Sequence, residues 1–262
     1  MSTLVCLHAH PDDESIATGG SIARAVSEGH RVVLVVATDG RHGETPNDLL
    51  PGETLVDRRR RETERSAEVL GVADIRWLGY HDSGMTGWEQ NGAPGAFVGA
   101  ELDEAARRFA DILDEVGADV VTCYDWHGGY GHPDHIMVHR VGHRAVDMVA
   151  ESGRVIRLLE STMNRTRIAA MRAENSEDAD FDPEAPADDG NPFGSTEDEI
   201  TMAVDVSDFV EQKRRSMACH ASQITDQSFF LQMPPEMFAM AFGTEWFIEA
   251  GHPGGARPGW FM

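Results

Sequence analysis

Arg31–Thr38 reads RVVLVVAT, apolar or β-branched at nearly every position. A run with no polar face fits a parallel strand covered by helices on both sides, and little else of that length. Its surroundings repeat the theme. Thr3–His8 reads as a buried strand, Ile16–Ser27 as a helix ended by Gly29, and a charged helix runs through Leu70. A short strand at Asp74–Leu78, a Gly-rich loop to about Gly99, a helix at Glu101–Glu115, a strand at Asp119–Tyr124 and a helix from about His135 to Ala150 follow. Strand–helix alternation at this spacing predicts an α/β fold: a Rossmann-like, mostly parallel sheet with helices on both faces. Such sheets place their sites in the loops beyond the carboxyl ends of the strands.

The second half is less regular. Arg154–Glu160 and Ile200–Val206 look like strands, and Ser207–Cys219 like an amphipathic helix capped by Ser207. Between them, Glu174–Glu199 holds eleven acidic residues, three prolines and two glycines. So little apolar surface predicts a solvated excursion or a flap beside a pocket. A chain of 262 residues suits one large domain with a modest appendage. The expected division is a Rossmann-like catalytic domain over 1–160 and a smaller irregular part over 161–262 that completes the pocket and carries the acidic loop 174–199.

The net charge is −23, and Lys213 is the only lysine among 22 basic residues. A surface this negative repels phosphate backbones and anionic lipid, which argues against nucleic acid and membrane partners. Three cysteines without a CxxC pair are too few for a disulfide scaffold. The chain has no long uncharged apolar stretch, and the expected location is the cytoplasm.

Two loops concentrate chemistry. After the first strand comes His8-Ala9-His10-Pro11-Asp12-Asp13-Glu14. Pro11 biases His10 away from helix, so these residues form a turn in which Asp12 and Asp13 project differently. One aspartate can then bind a cation while the other faces a water molecule on it. Acids merely capping a helix start would explain one or two carboxylates, but not the histidines beside them. The second loop is Asp125-Trp126-His127-Gly128-Gly129-Tyr130-Gly131-His132-Pro133-Asp134-His135, after the strand Asp119–Tyr124. His10 and Asp13 with His135 would give three protein ligands and one open position, the pattern of a catalytic zinc. His139 and His143 continue a four-residue stripe that reads as packing or surface more than as ligands.

The motifs AHPDDE and GYGHPDH together resemble the paired signatures of the LmbE/PIG-L family of zinc-dependent N-deacetylases. Further similarity lies in Arg59…Glu62…Ala67…Leu70-Gly71, in Asp82-Ser83-Gly84-Met85 and in Lys213…Cys219-His220-Ala221-Ser222-Gln223. The DSGM stretch is most like the actinobacterial mycothiol branch, which includes a GlcNAc-inositol deacetylase and a mycothiol-conjugate amidase. The resemblance implies His10, Asp13 and His135 as zinc ligands, with Fe²⁺ an accepted substitute, and Asp12 as general base. It implies His132 as the oxyanion stabiliser and a candidate proton donor to the amine. Tyr130 matches a mobile tyrosine near the substrate carbonyl, and Asp134 a residue that tunes the histidine. Arg59 and Asp82 match groups that hold sugar and inositol hydroxyls. The family's T-x-G-E-x-G loop here reads Thr38-Asp39-Gly40-Arg41-His42-Gly43, so Arg41 replaces a substrate-binding glutamate unless Glu44 takes its place.

The expected activity is removal of acetyl from an N-acetylglucosamine-type sugar by metal-activated water, with a small-molecule amino sugar as partner. Amide cleavage of a mycothiol S-conjugate is the alternative. A non-catalytic metal binder and a nucleotide binder are more remote, since the latter wants GxGxxG after the first strand, whereas Gly19-Gly20 falls inside a predicted helix. A homo-oligomer is left open.

Overall fold

Alternating side chains along the first strand are buried on both sides, and that is what a sheet sandwiched between helices requires. The computed structural model describes residues 1–174 and 182–262. In chain order its elements are β1 (Thr3–His8), α1 (Asp13–Ala17), α2 (Gly19–Ser27), β2 (Arg31–Thr38), α3 (Leu55–Leu70), β3 (Asp74–Tyr80), α4 (Leu102–Val116), β4 (Val120–Tyr124) and α5 (Pro133–Glu151). Then come β5 (Arg157–Thr162), α6 (Arg165–Glu174), β6 (Met202–Asp205), α7 (Val210–Met217), α8 (Phe229–Gln232), α9 (Pro235–Phe242), β7 (Thr244–Glu249) and β8 (Arg257–Pro258).

All eight strands join one sheet in the order β3-β2-β1-β4-β5-β7-β6-β8. The first five are parallel to one another, whereas β7 is antiparallel to both β5 and β6. The chain thus has the expected α/β fold. Val5, Leu7, Val33 and Val35 face α4 and α5, where they meet Phe109, Leu113, Val138 and Val141. Leu4, Cys6, Leu34 and Val36 face the other way, against Ile22 of α2, Leu70 of α3 and Phe247. The apolar run in β2 is the consequence, because both of its faces are core.

From β1 the chain winds outward through β2 and β3, then returns to lay β4 on the opposite side of β1. Strand order therefore reverses between β1 and β4, and a crevice opens beyond their carboxyl ends. The two histidine-rich loops follow these two strands and meet there.

Several elements differ from the sequence reading. The single helix expected at Ile16–Ser27 is two helices broken at Thr18, whose hydroxyl lies 2.9 Å from His8 Nε2. Ser207 opens a 3₁₀ turn rather than capping a helix, and its N–H donates to Asp205 Oδ1. The irregular C-terminal half supplies β7 to the main sheet and packs α7 against α1, α2 and α3. Part of the acidic stretch, 175–181, lies outside the described residues. Its later part rides on the loop after β4: the N–H groups of Asp188 and Gly194 donate to the carbonyls of Tyr130 and Gly129.

Candidate active site

The turn after β1 forces one residue into an unfavourable backbone. Asp12 has φ 116°, the only non-glycine residue with positive φ among the described residues. Such a conformation costs on the order of 1–3 kcal/mol and persists only where surrounding contacts fix it. Here the Asp12 N–H donates to Glu14 Oε2 (3.0 Å), its carbonyl accepts from the Ser15 hydroxyl (2.7 Å), and its Oδ2 lies 3.2 Å from Arg59 Nη2. Glu14 is itself anchored, since its Oε1 accepts from Ser66 Oγ at 2.5 Å and lies 2.6 Å from His220 Nε2. Burial pushes the Asp12 carboxyl up to about 6; Arg59 opposes the rise and Asp13 adds to it.

The twisted backbone separates the two aspartates. Asp13 Oδ2 accepts the His10 N–H (2.8 Å) and lies 3.5 Å from His10 Nδ1 and 3.4 Å from His135 Nε2. Ligand atoms about 2.0–2.1 Å from a tetrahedral ion stand about 3.3–3.4 Å apart, so this spacing fits a metal. The outer nitrogens are already engaged. His10 Nε2 lies 3.1 Å from Asp134 Oδ2, and His135 Nδ1 lies 3.2 Å from the Gly128 carbonyl. With its proton on that outer nitrogen, each ring turns a lone pair inward, as metal-ligating histidines do. The approach of Gly128 needs glycine: at φ 67°, a Cβ there would stand 2.3 Å from His135 Cβ.

Asp134 is tuned to a different histidine from its sequence neighbour. Its carboxylate holds His10 and is held by the Ser83 N–H (2.8 Å) and hydroxyl (2.5 Å). Its backbone N–H donates to His132 Nδ1 (3.1 Å), with His132 as N-cap of α5 and Pro133 in the first turn. This bond leaves the His132 proton on Nε2. Burial first, then charge on His10 and His135, push its pKa down to about 2. The Tyr130 hydroxyl lies 3.5 Å from His135 Nε2.

A cavity of about 280 Å³ opens over this group, lined by His10, Asp12, Asp13, Asp82, Tyr130 and His132. Asp82 Oδ1 sits 3.5 Å from His10 Nε2, and its oxygens accept the N–H groups of Gly84 (2.8 Å) and His42 (3.1 Å). Arg59 reaches the cavity wall, but its guanidinium donates to the carbonyls of Gly40 (2.7 Å) and Pro11 (2.5 Å) as well as to Asp12. Its Nε has no partner among the described residues.

Two sequence candidates are absent from the wall. Arg41 folds back on Asp39 (2.6 Å) in an exposed position, captured by a carboxylate two residues away. Glu44 is tied through its backbone to the Gln223 side chain. His42 and Gly43 of the same loop line the cavity instead, with Ile16, Met85 and Trp88. Met85 closes the Asp82–Met85 motif, and His42 and Gly43 end the loop compared with T-x-G-E-x-G, whereas nothing in the sequence marks Ile16 or Trp88. His8 is not a ligand, being buried between the Tyr124 hydroxyl and Thr18 at 2.9 Å each.

A family model described as PIG-L, GlcNAc-PI de-N-acetylase, matches residues 5–146. The chain belongs to the PIG-L family. It is 38% identical over 260 residues to a 1D-myo-inositol 2-acetamido-2-deoxy-alpha-D-glucopyranoside deacetylase of Acidothermus cellulolyticus, covering 94% of this chain and 88% of that one. A protein of the same description from Nocardiopsis dassonvillei is 41% identical over 239 residues, covering 84% and 83%. Among solved PIG-L-like folds, the N,N'-diacetylchitobiose deacetylase of Pyrococcus horikoshii superposes with a TM-score of 0.60 at 25% identity, covering 95% of this chain and 83% of that one. No helix among the described residues is long and apolar enough to cross a membrane.

Proposed function

We propose that this PIG-L family member is a metal-dependent deacetylase that hydrolyses the acetamide of an N-acetylglucosaminyl-inositol. The observation that carries the reading is Asp13 Oδ2 standing 3.5 Å from His10 Nδ1 and 3.4 Å from His135 Nε2, beside the strained Asp12 at the cavity that Asp12, Asp13 and His10 line. Two imidazoles and a carboxylate suit zinc, with ferrous iron as the alternative. A bound ion would polarise the amide carbonyl and acidify water.

The residues then divide the work. Asp12 takes the proton from the attacking water with the oxygen that Arg59 does not hold, and the strained turn keeps that oxygen aimed into the cavity. His132 donates its Nε2–H to the oxyanion. Asp12, holding the proton taken from water, then delivers it to the departing amine. Tyr130 adds a hydroxyl donor at the carbonyl, and Asp134 positions His10. Asp82, with His42 and Trp88, orients sugar hydroxyls and ring. Arg59 acts chiefly by fixing Asp12 and the loop carbonyls. Three carboxylates at the cavity favour an uncharged polyol aglycone over an anionic one.

Residues 1–160 carry this chemistry in our reading. The part after 160 braces it from behind, with His220 on Glu14, Ser222 on Glu62 and Gln223 on the Glu44 backbone. All three cysteines are free, in keeping with a cytoplasmic location.

The test pairs Asp12→Asn with Asp13→Ala. Asp12→Asn should keep about one metal equivalent while kcat for acetate release falls roughly 10²–10⁴-fold. Asp13→Ala should lose metal and activity together. Metal loss from Asp12→Asn with retention in Asp13→Ala would reverse the two roles. The panel of GlcNAc-inositol, free GlcNAc, diacetylchitobiose and a thiol conjugate of the GlcNAc-inositol core should show GlcNAc-inositol preferred; faster cleavage of the conjugate would make the enzyme an amidase.

A further inference from the structure

Beyond His135, the same helix carries two more histidines toward the sheet. His139 and His143 stand one turn apart on α5, with ring centroids 4.3 Å apart. Below them, Cys123 of β4 and Glu160 of β5 are register partners, so their side chains share one face of the sheet. Sγ of Cys123 and one ring nitrogen of each histidine lie within 4.8 Å of one another. Glu160 Oε1 is 2.7 Å from His143 Nε2 and 3.8 Å from His139 Nδ1. Gly142 lets the helix come this close, since a Cβ there would stand 2.9 Å from Cys123 Cβ and 3.2 Å from its Sγ.

Pairing accounts for His143, on Glu160, and for His139, whose Nδ1 lies 3.1 Å from the Tyr124 carbonyl, but not for Cys123. The His143–Glu160 pair needs neither Cys123 nor His139. The Cys123 thiol, 1% exposed, has only a 3.5 Å hydrogen-bond contact with the Tyr124 carbonyl among the described residues. A thiol, two imidazoles and a carboxylate are the donor set of a borderline divalent ion such as zinc. The His139 and His143 side chains are 19% and 35% exposed, which leaves an entry path and room for the rings to close on an ion.

We propose that Cys123, His139, His143 and Glu160 form a second, structural metal site, separate from His10–Asp13–His135 and specific for zinc-class ions. On binding, Cys123 releases its thiol proton to water and the thiolate, two ring nitrogens and a carboxylate oxygen become the ligands. With four protein donors the site is closed to substrate. It ties the middle of α5 to β4 and β5, and that helix carries Asp134 and His135 in its first turn behind the N-cap His132.

The experiment strips the full chain with a chelator and titrates it with Zn²⁺ and Co²⁺. Wild type should take two zinc equivalents, and Cys123→Ser and His143→Ala one each. Cobalt should give a thiolate charge-transfer band in wild type that is lost in Cys123→Ser, a signal that the sulfur-free catalytic donor set cannot produce. His143→Ala changes a partly exposed residue, so it reports even where the buried serine variant fails to fold. One zinc equivalent in wild type, no thiolate band, or two equivalents retained in His143→Ala would overturn the proposal.

Discussion

Lys213 gives the most quantitative test of how the second half of the chain supports the first. Its ammonium lies 2.6 Å from Glu245 Oε1, and both side chains are 2% exposed. Glu245 also accepts the N–H groups of Gly20 and Ser21, each at 2.8 Å, and so caps the first turn of α2. Lys213→Met keeps most of the apolar stem and removes the charge. Breaking a buried pair from one side costs about 3–5 kcal/mol, because the surviving charge is left uncompensated. Glu245 would keep its two N–H donors and the positive end of α2, which places the cost at the lower end, about 3 kcal/mol. For a chain of this size that corresponds to a Tm loss of roughly 6–12 °C. Lys213→Met/Glu245→Gln removes the stranded charge but leaves one amide oxygen for the two N–H donors of α2, so it should recover part of the loss. Thermal unfolding followed by circular dichroism measures all three proteins. A loss under about 2 °C in the single variant, or a double variant no more stable than the single, would refute the uncompensated-charge argument.

Three further outcomes are expected. Ser83→Ala frees one oxygen of Asp134 and loosens His10, so metal affinity measured against a competing chelator should fall roughly 10–100-fold. Equal affinity would show that the Ser83 N–H alone holds Asp134. Trp88→Ala should raise KM for the sugar with metal content unchanged, because Trp88 lines the cavity without touching the ligand set; an unchanged KM removes it from the substrate's path. For His220, burial opposes the charge, yet the Glu14 carboxylate outweighs it and holds the pKa above its usual value. Its stabilising contribution is therefore complete below about pH 6.5 and lost as pH rises through the raised value. The stability gap between wild type and His220→Gln, from urea unfolding, should narrow with rising pH, and a constant gap would contradict this.

The sequence by itself determined whatever depends on neighbours along the chain. The unbroken apolar run of β2 states that both sheet faces are covered. The two histidine-rich loops directly follow strands, and His132-Pro133 is a helix start whose capping geometry also sets the His132 tautomer. Which residue types gather at the site was legible for the same reason, since ligand chemistry selects histidine and aspartate over other side chains. Strand order decided the rest. β4 lies beside β1 only because the chain crosses back over the sheet, and this brings Asp134 to His10 across 124 residues, where local reading pairs it with His132. The same packing sets Glu14 and Arg59 around Asp12 and holds it at φ 116°, a conformation that no propensity of aspartate would select. Arg41 shows the converse. Its motif position suggests a substrate contact, yet Asp39 stands two residues away and is paired with it first. Distances of this kind are set by the competition among partners in the folded chain, and a linear pattern of residues does not carry that information.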